Sequence, residues 1–249
     1  MARNFCLEFR LPPHRHPGDQ EIPLSIQDLT LPFATCMTAK SDLKELVSSL
    51  RKCVNDRGLD ADAVREATAK LERIGYAYDA SRFPPLPNDL QWDGPDLHAP
   101  SSLAEALLWK MGKWKVYKSF TSYYSNPSSL PTTSDVVFYA FAQHLRDRSL
   151  PIYDQHALRA LWAIDAGLTD DQASTCRGLL AKRNGDWKTI ASGPSSPKGY
   201  RIYASRISEL CAADLRHDDF DKLLMPLGQA LKTVTENVKD FVELAGCAG

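Results

Sequence analysis

The chain has 249 residues, 43% of them apolar, and a net charge of −1, so it can bury a full core but lacks the overall positive charge of a dedicated nucleic-acid binder. No stretch approaches the ~18–20 consecutive apolar residues of a membrane span, and the start, Met-Ala-Arg-Asn-Phe-Cys, lacks a signal-peptide apolar core, so a cytoplasmic protein is expected. Its six cysteines (Cys6, Cys36, Cys53, Cys176, Cys211, Cys247) are scattered without a CxxC, which argues against a structural zinc site and fits a reducing compartment.

In chain order, residues 1–35 carry many prolines and short apolar runs, which predicts an extended arm with room for short strands. Within it, His14 and His16 form a lone His-x-His without an accompanying carboxylate or cysteine cluster, so an exposed arm is the better reading than a metal site. Leu43, Leu46, Leu50 and Val54 stand at helical spacing over 42–54, and Val64, Ala67, Leu71 and Ile74 over 60–74, with Gly58 between them. Residues 82–100 are dense in proline and predict a linker or long surface loop. Ser102 followed by Glu105 reads as a capping box opening one helix over 102–123. That helix is apolar nearly all round and is expected to be largely buried.

Further helices are expected at 134–148, 154–166, 169–183, 199–215 and 220–245, the last broken or kinked at Pro226 and Gly228. Residues 184–199 read as an exposed loop. The fold class is therefore mainly α. Three parts are expected: 1–100 with the arm, a helical pair and the linker; 101–166 as a core; and 167–249 as a helical region completing a second lobe. Charge is uneven along the chain. Residues 101–164 hold seven basic residues against four acidic, and 177–206 hold seven against one, while both flanks are acidic. The central region can present a positive face, or the blocks are ordinary solvated surface.

Residues 150–161, Leu-Pro-Ile-Tyr-Asp-Gln-His-Ala-Leu-Arg-Ala-Leu, place Asp154 at a helix start with His156 and Arg159 in the first turns. A carboxylate there meets unpaired amides and the positive end of the helix dipole. Two readings stand: an ordinary Asp N-cap, or an ionised catalytic carboxylate beside a proton carrier. Upstream by 24 residues, Leu130-Pro131-Thr132-Thr133-Ser134-Asp135 forms a turn-like run leading into an apolar helix.

This combination resembles the helix-hairpin-helix DNA glycosylases of the endonuclease III and MutY type. Leu130-Pro131 matches the start of their Leu-Pro-Gly-x-Gly hairpin, and Asp154, His156 and Arg159 match their Asp-x-His-x-x-Arg segment. The resemblance covers residues 101–164 and implies a two-lobed helical fold with the N-terminal arm as an extension. It further implies a DNA base-excising hydrolase acting on double-stranded DNA as a monomer, with Asp154 and His156 catalytic and Arg159, Gln155 and Tyr153 in support. Thr132 and Ser134 replace the hairpin glycines, so with Thr133 they would offer hydroxyls rather than bare amides to a phosphate. Val136 stands where bifunctional members carry a lysine, which closes the Schiff-base lyase route. The four-cysteine iron–sulfur loop of many relatives is missing, and neither a cofactor nor a metal is expected. Oxidised, alkylated or mismatched bases, and the bulky modified cytosines of phage DNA, are the substrate classes in view, the last implying antiviral defence.

Two other segments carry chemistry. Residues 109–118, Trp-Lys-Met-Gly-Lys-Trp-Lys-Val-Tyr-Lys, alternate aromatics with lysines, as suits a base pocket walled by Trp109, Lys110 and Tyr139 with Lys113 on a phosphate. The alternative is a core helix whose lysines snorkel outward. The loop with Lys182, Arg183 and Lys188 suits the DNA backbone, with Trp187 as a wedge into the gap of a flipped base. Its alternative is a solvated connector with Trp187 packed against the body. Outside the enzyme class, the competing reading is a non-catalytic helical module that binds nucleic acid or protein, Asp154 serving only as a cap.

Overall fold

The computed structural model describes residues 33–79, 81, 98–126, 131, 135–188, 196–211, 215 and 217–247. Residues 1–32 of the arm, most of the proline-rich linker and the hairpin residues Leu130, Thr132, Thr133 and Ser134 lie outside the described residues. Those that are described form ten helices: α1 (Phe33–Arg57), α2 (Ala61–Arg73), α3 (Leu103–Lys110), α4 (Trp114–Ser125), α5 (Val136–Arg146), α6 (Gln155–Ile164), α7 (Asp170–Leu180), α8 (Pro197–Leu210), α9 (His217–Val234) and α10 (Val238–Ala245). The mainly α class is as the sequence implies. Among the described residues, pairing between extended segments is limited to isolated bridges, Leu59 with Cys211, Ala181 with Trp187 and Asp186 with Asn237.

Helix α6 is the axis of the core. From Ala157 to Ile164 every residue is buried, which is what an all-round apolar helix requires. Helix α9 packs along it most extensively through Leu223, Leu224, Leu227, Ala230 and Leu231, and α1, α7, α8 and α10 complete the surround. The α1 stripe Leu43, Leu46, Val47 and Leu50 is buried against this cluster, each side chain worth roughly 1.5–3 kcal/mol over exposure. Arg51 donates to the Ala163 carbonyl at 2.9 Å, satisfying an end-of-helix acceptor of α6.

The caps explain the boundaries. Asp60 opens α2, the Ser102–Glu105 capping box opens α3, the Thr169–Gln172 box opens α7, and Asn237 opens α10. Gly58 turns α1 into α2 at φ +79°.

Four expectations are corrected. Helix α1 begins at Phe33, so the end of the expected arm is helical; Pro32 is the last helix-breaking residue before it. The single helix over 102–123 is two helices, because Gly112 adopts φ +68° and closes α3 with a Gly112 amide bond to the Trp109 carbonyl. It is not largely buried either: Leu103 is 90% exposed and Leu107, Trp109 and Met111 are each 59% exposed. Finally, α9 runs through Pro226 and Gly228, and the break falls at 235–237, where Asn237 caps a new helix.

Candidate functional site

Helices α4 and α5 pack against each other as a pair. Phe120 stacks on Phe141 at 5.8 Å, Tyr123 meets Tyr139 edge-on at 5.7 Å, and the Gln143 amide donates to the Tyr123 carbonyl at 3.0 Å. After α5, Asp147 accepts from the Ser149 amide and hydroxyl in a tight turn. The His144 ring, 2.7 Å from the Leu150 carbonyl, then ties the outgoing strand-like segment to α5. This segment, residues 151–154, delivers Asp154 to the first turn of α6.

Asp154 is extended (φ −148°, ψ −175°) and half-buried. Its Oδ1 accepts from the His156 and Ala157 amides, both at 2.7 Å, as a helix N-cap does. Its second oxygen, Oδ2, makes no hydrogen bond with the described residues. One carboxylate oxygen is thus committed to the helix and the other is open to a ligand, a water or a developing cation.

Behind it, Arg159 is fully buried. Its Nη1 donates to the Gly228 carbonyl at 3.1 Å and lies 3.4 Å from His156 Nδ1, and its guanidinium carbon sits 4.6 Å above the Trp187 ring. Nε and Nη2 have no partner among the described residues. Burial pulls the Arg159 guanidinium down to about 10, the Asp154 charge working against that drop. It stays protonated at neutral pH, a buried cation facing no direct carboxylate. His156 is half-buried, and burial pushes its imidazole below the usual value; Asp154 opposes this and Arg159 adds to it.

Gly228 fixes this geometry. A Cβ at Gly228 would lie 1.9 Å from the His156 carbonyl oxygen, so α9 presses directly on the first turn of α6. Neither Gly228 nor its partner carbonyl is readable from sequence, because a close approach between two helices leaves no local pattern.

Gln155 and Tyr153 flank the carboxylate as buried residues. Tyr153 meets Tyr200 edge-on at 5.4 Å and Tyr203 at a tilt at 5.3 Å, and neither its hydroxyl nor that of Tyr203 has a partner among the described residues. The structure gathers Tyr153, Asp154, Gln155, His156 and Arg159, as their spacing requires. Tyr139 is half-buried between Tyr123 and Tyr200 and joins this tyrosine cluster; no recorded contact brings it to Trp109 or Lys110, which lie exposed on α3. Lys113 is exposed in the α3–α4 turn, and Lys182 and Arg183 are exposed in the loop after α7. Lys188 is half-buried, bonded to the Gly178 carbonyl.

The wedge reading of Trp187 is corrected. Its Nε1 donates to the Thr235 carbonyl and hydroxyl at 3.1 and 3.2 Å, and its ring stands edge-on to Phe241 at 5.4 Å. The indole is a packing element beneath Arg159. Sequence reasoning missed the partnership because Thr235, Phe241 and Trp187 are far apart in the chain.

Two surface hollows lie elsewhere. One is lined by Asp42, Glu45, Leu46, Ser49, Lys70, Arg73 and Ile74 between α1 and α2. The other is lined by residues of α4, Trp114 to Tyr123. Among the described residues no group of three or more His, Cys, Asp or Glu side chains is placed to hold a metal ion, and no helix is long and apolar enough to cross a membrane. No family profile, curated protein or solved structure matches the chain.

Proposed function

We propose that the protein is a monofunctional DNA glycosylase of two-lobed helix-hairpin-helix type, acting as a cytoplasmic monomer on double-stranded DNA. The observation that carries this reading is the Asp154 carboxylate. It is half-buried, pinned through one oxygen by two α6 amides, open at the other, and delivered by the chain directly after the α4–α5 helical pair. Val136, at the position of the lyase lysine, is wholly buried, which supports hydrolysis over Schiff-base chemistry.

In the proposed reaction the target nucleotide is extruded from the duplex. The N-glycosidic bond breaks, its electron pair leaves with the base, and positive charge develops on the sugar. Oδ2 of Asp154 stabilises that charge. A water then adds to C1′; its proton goes to the carboxylate and from there to solvent or the departing base. His156 and Arg159 hold the carboxylate's surroundings rather than react. Modified or damaged bases, including the bulky modified cytosines of phage DNA, are the substrates to screen.

A second reading is favoured by one observation, the pair of 2.7 Å cap bonds: Asp154 would then be structural, within a non-catalytic helical binding module. Asp154→Asn separates the two. Asparagine is as good an N-cap as aspartate, so the helix is retained while the charge is lost. A glycosylase loses base release with folding and DNA affinity intact; a module changes in no assay.

A further inference from the structure

The hollow on α4 is the feature the Asp154 chemistry does not use. It is a shallow, open hollow of about 590 Å3 on one face of α4, lined among the described residues by Trp114, Lys115, Lys118, Ser119, Ser122 and Tyr123. Its composition is specific: two aromatic residues, two serine hydroxyls and two ammonium groups.

The exposed charge on α3 and α4 is of one sign. Across α3 and α4 the exposed charges are Lys110, Lys113, Lys115 and Lys118, and none forms an ion pair with a described residue. The only acid on these two helices, Glu105, is buried and bonded to Ser101, Ser102 and Tyr117. Asp135, near one end, accepts from the Tyr123 hydroxyl at 3.5 Å. Four lysines with no ion pair to a described residue, beside a half-buried tryptophan, suit an anionic partner with flat apolar faces. A second copy of the same surface would bring like charges together.

We propose that this hollow binds one unpaired nucleotide of a DNA strand, its base stacked on Trp114 and its flanking phosphates on Lys115 and Lys118. The serine hydroxyls then face the sugar or the base edge. Stacking tolerates any base, and the lysines read the backbone, so the hollow grips unpaired DNA without choosing sequence. The proposal rests on reading the protein as DNA-acting, but not on the chemistry of Asp154. It adds a second contact, on an element other than α6, for a strand opened by base extrusion.

The test is fluorescence anisotropy of the full chain with a labelled 20-nucleotide oligothymidine, a 20-base-pair duplex, and the same duplex with a central unpaired thymidine. The unpaired probes should bind more tightly than the plain duplex. Trp114→Ala should weaken them by roughly 5- to 100-fold. Lys115→Glu/Lys118→Glu, at two exposed positions that leave the core intact, should lower the slope of log affinity against log salt by about 1.4. Circular dichroism confirms the fold of each variant.

Equal affinity for all three probes, or no change in the lysine double variant, overturns the proposal. So does loss of self-association, or of binding to vesicles of phosphatidylcholine and phosphatidylserine, in place of DNA binding. If base release fails on every substrate while Trp114→Ala still weakens binding, the glycosylase reading falls and the hollow stands. If release depends on Asp154 but the α4 variants bind as the parent does, the reverse holds.

Discussion

Replacing Gly228 with alanine tests the packing that positions Asp154. The added Cβ would stand 1.9 Å from the His156 carbonyl oxygen, 2.5 Å from its carbon and 2.8 Å from its Cα. Non-bonded heavy atoms settle near ~3.5 Å, and every atom met here is backbone, so nothing can rotate aside. Either α9 moves off α6 or the first turn of α6 shifts, and both loosen the most extensive helix contact in the fold. Over-packing costs roughly 1–3 kcal/mol and more when backbone must move. We place this substitution at about 3 kcal/mol, after the smaller helical-propensity gain of alanine over glycine. At ~2–4 °C per kcal/mol for a chain of this size, Tm falls by roughly 6–12 °C, and the urea midpoint falls at unchanged m. The same shift displaces His156 and Asp154, so base release should drop on the order of 100-fold, the effect of about 1 Å at a reacting centre. Gly178 on α7 is the control: it is exposed, meets nothing within 4 Å, and its alanine variant should gain ~0.5–1 kcal/mol. A Gly228→Ala protein as stable as its parent, within ~0.5 kcal/mol, refutes the close crossing of α6 and α9.

Other consequences follow from named groups. Asp165 takes Arg206 Nε and Nη2 at 2.6 and 2.8 Å and is itself buried. Asp165→Asn leaves that guanidinium only Glu209 as a carboxylate partner and should cost about 2–3 kcal/mol in chemical denaturation; a loss under ~1 kcal/mol would show the pair to be dispensable. Because burial holds His156 below its unfolded value of 6.5, the unfolded chain binds the extra proton, and stability present above that value is lost as pH falls through the folded one. His156→Gln should therefore lose less stability than the parent between pH 7 and pH 5, and an identical loss would reject the assignment. The Glu105 carboxyl is held down to about 2 by the Ser101 hydroxyl first, then the Tyr117 hydroxyl and the Ser101 and Ser102 amides. The stability it gives α3 is present above the unfolded value of 4.5 and lost as pH falls towards 2. Amide shifts of α3 followed by NMR should titrate near 2, and a midpoint at 4.5 would contradict the capping box as described.

Much of the fold was legible because its signals are local. The helical spacing over 42–54 and 60–74 and the Ser102–Glu105 box each need only a few adjacent residues. Gly112 misled because a glycine within a helical pattern costs only ~1 kcal/mol, too little to foretell a φ of +68°. Pro226 misled in the opposite sense, since α9 continues through it to Val234. At the site, Asp154, His156 and Arg159 were readable by spacing. Their surroundings were not: the Gly228 carbonyl under Arg159 and the Trp187 ring against it come from segments tens of residues away. For Trp187 the sequence left a wedge and a packed indole both open, because its partners, Thr235 and Phe241, are distant from it in the chain; the structure shows the packed one. The exposure of α3 was unreadable for a related reason, as apolar composition reports what a helix can bury and not what is there to cover it.

The most direct test of the central claim is mass spectrometry of free bases released from unmodified, damaged and phage-derived modified DNA by the parent protein and by Asp154→Asn. The account requires a released base with the parent and none with the variant, while the variant keeps its Tm and its DNA affinity. Release that persists in Asp154→Asn, or no release by the folded parent from any DNA tested, would contradict it.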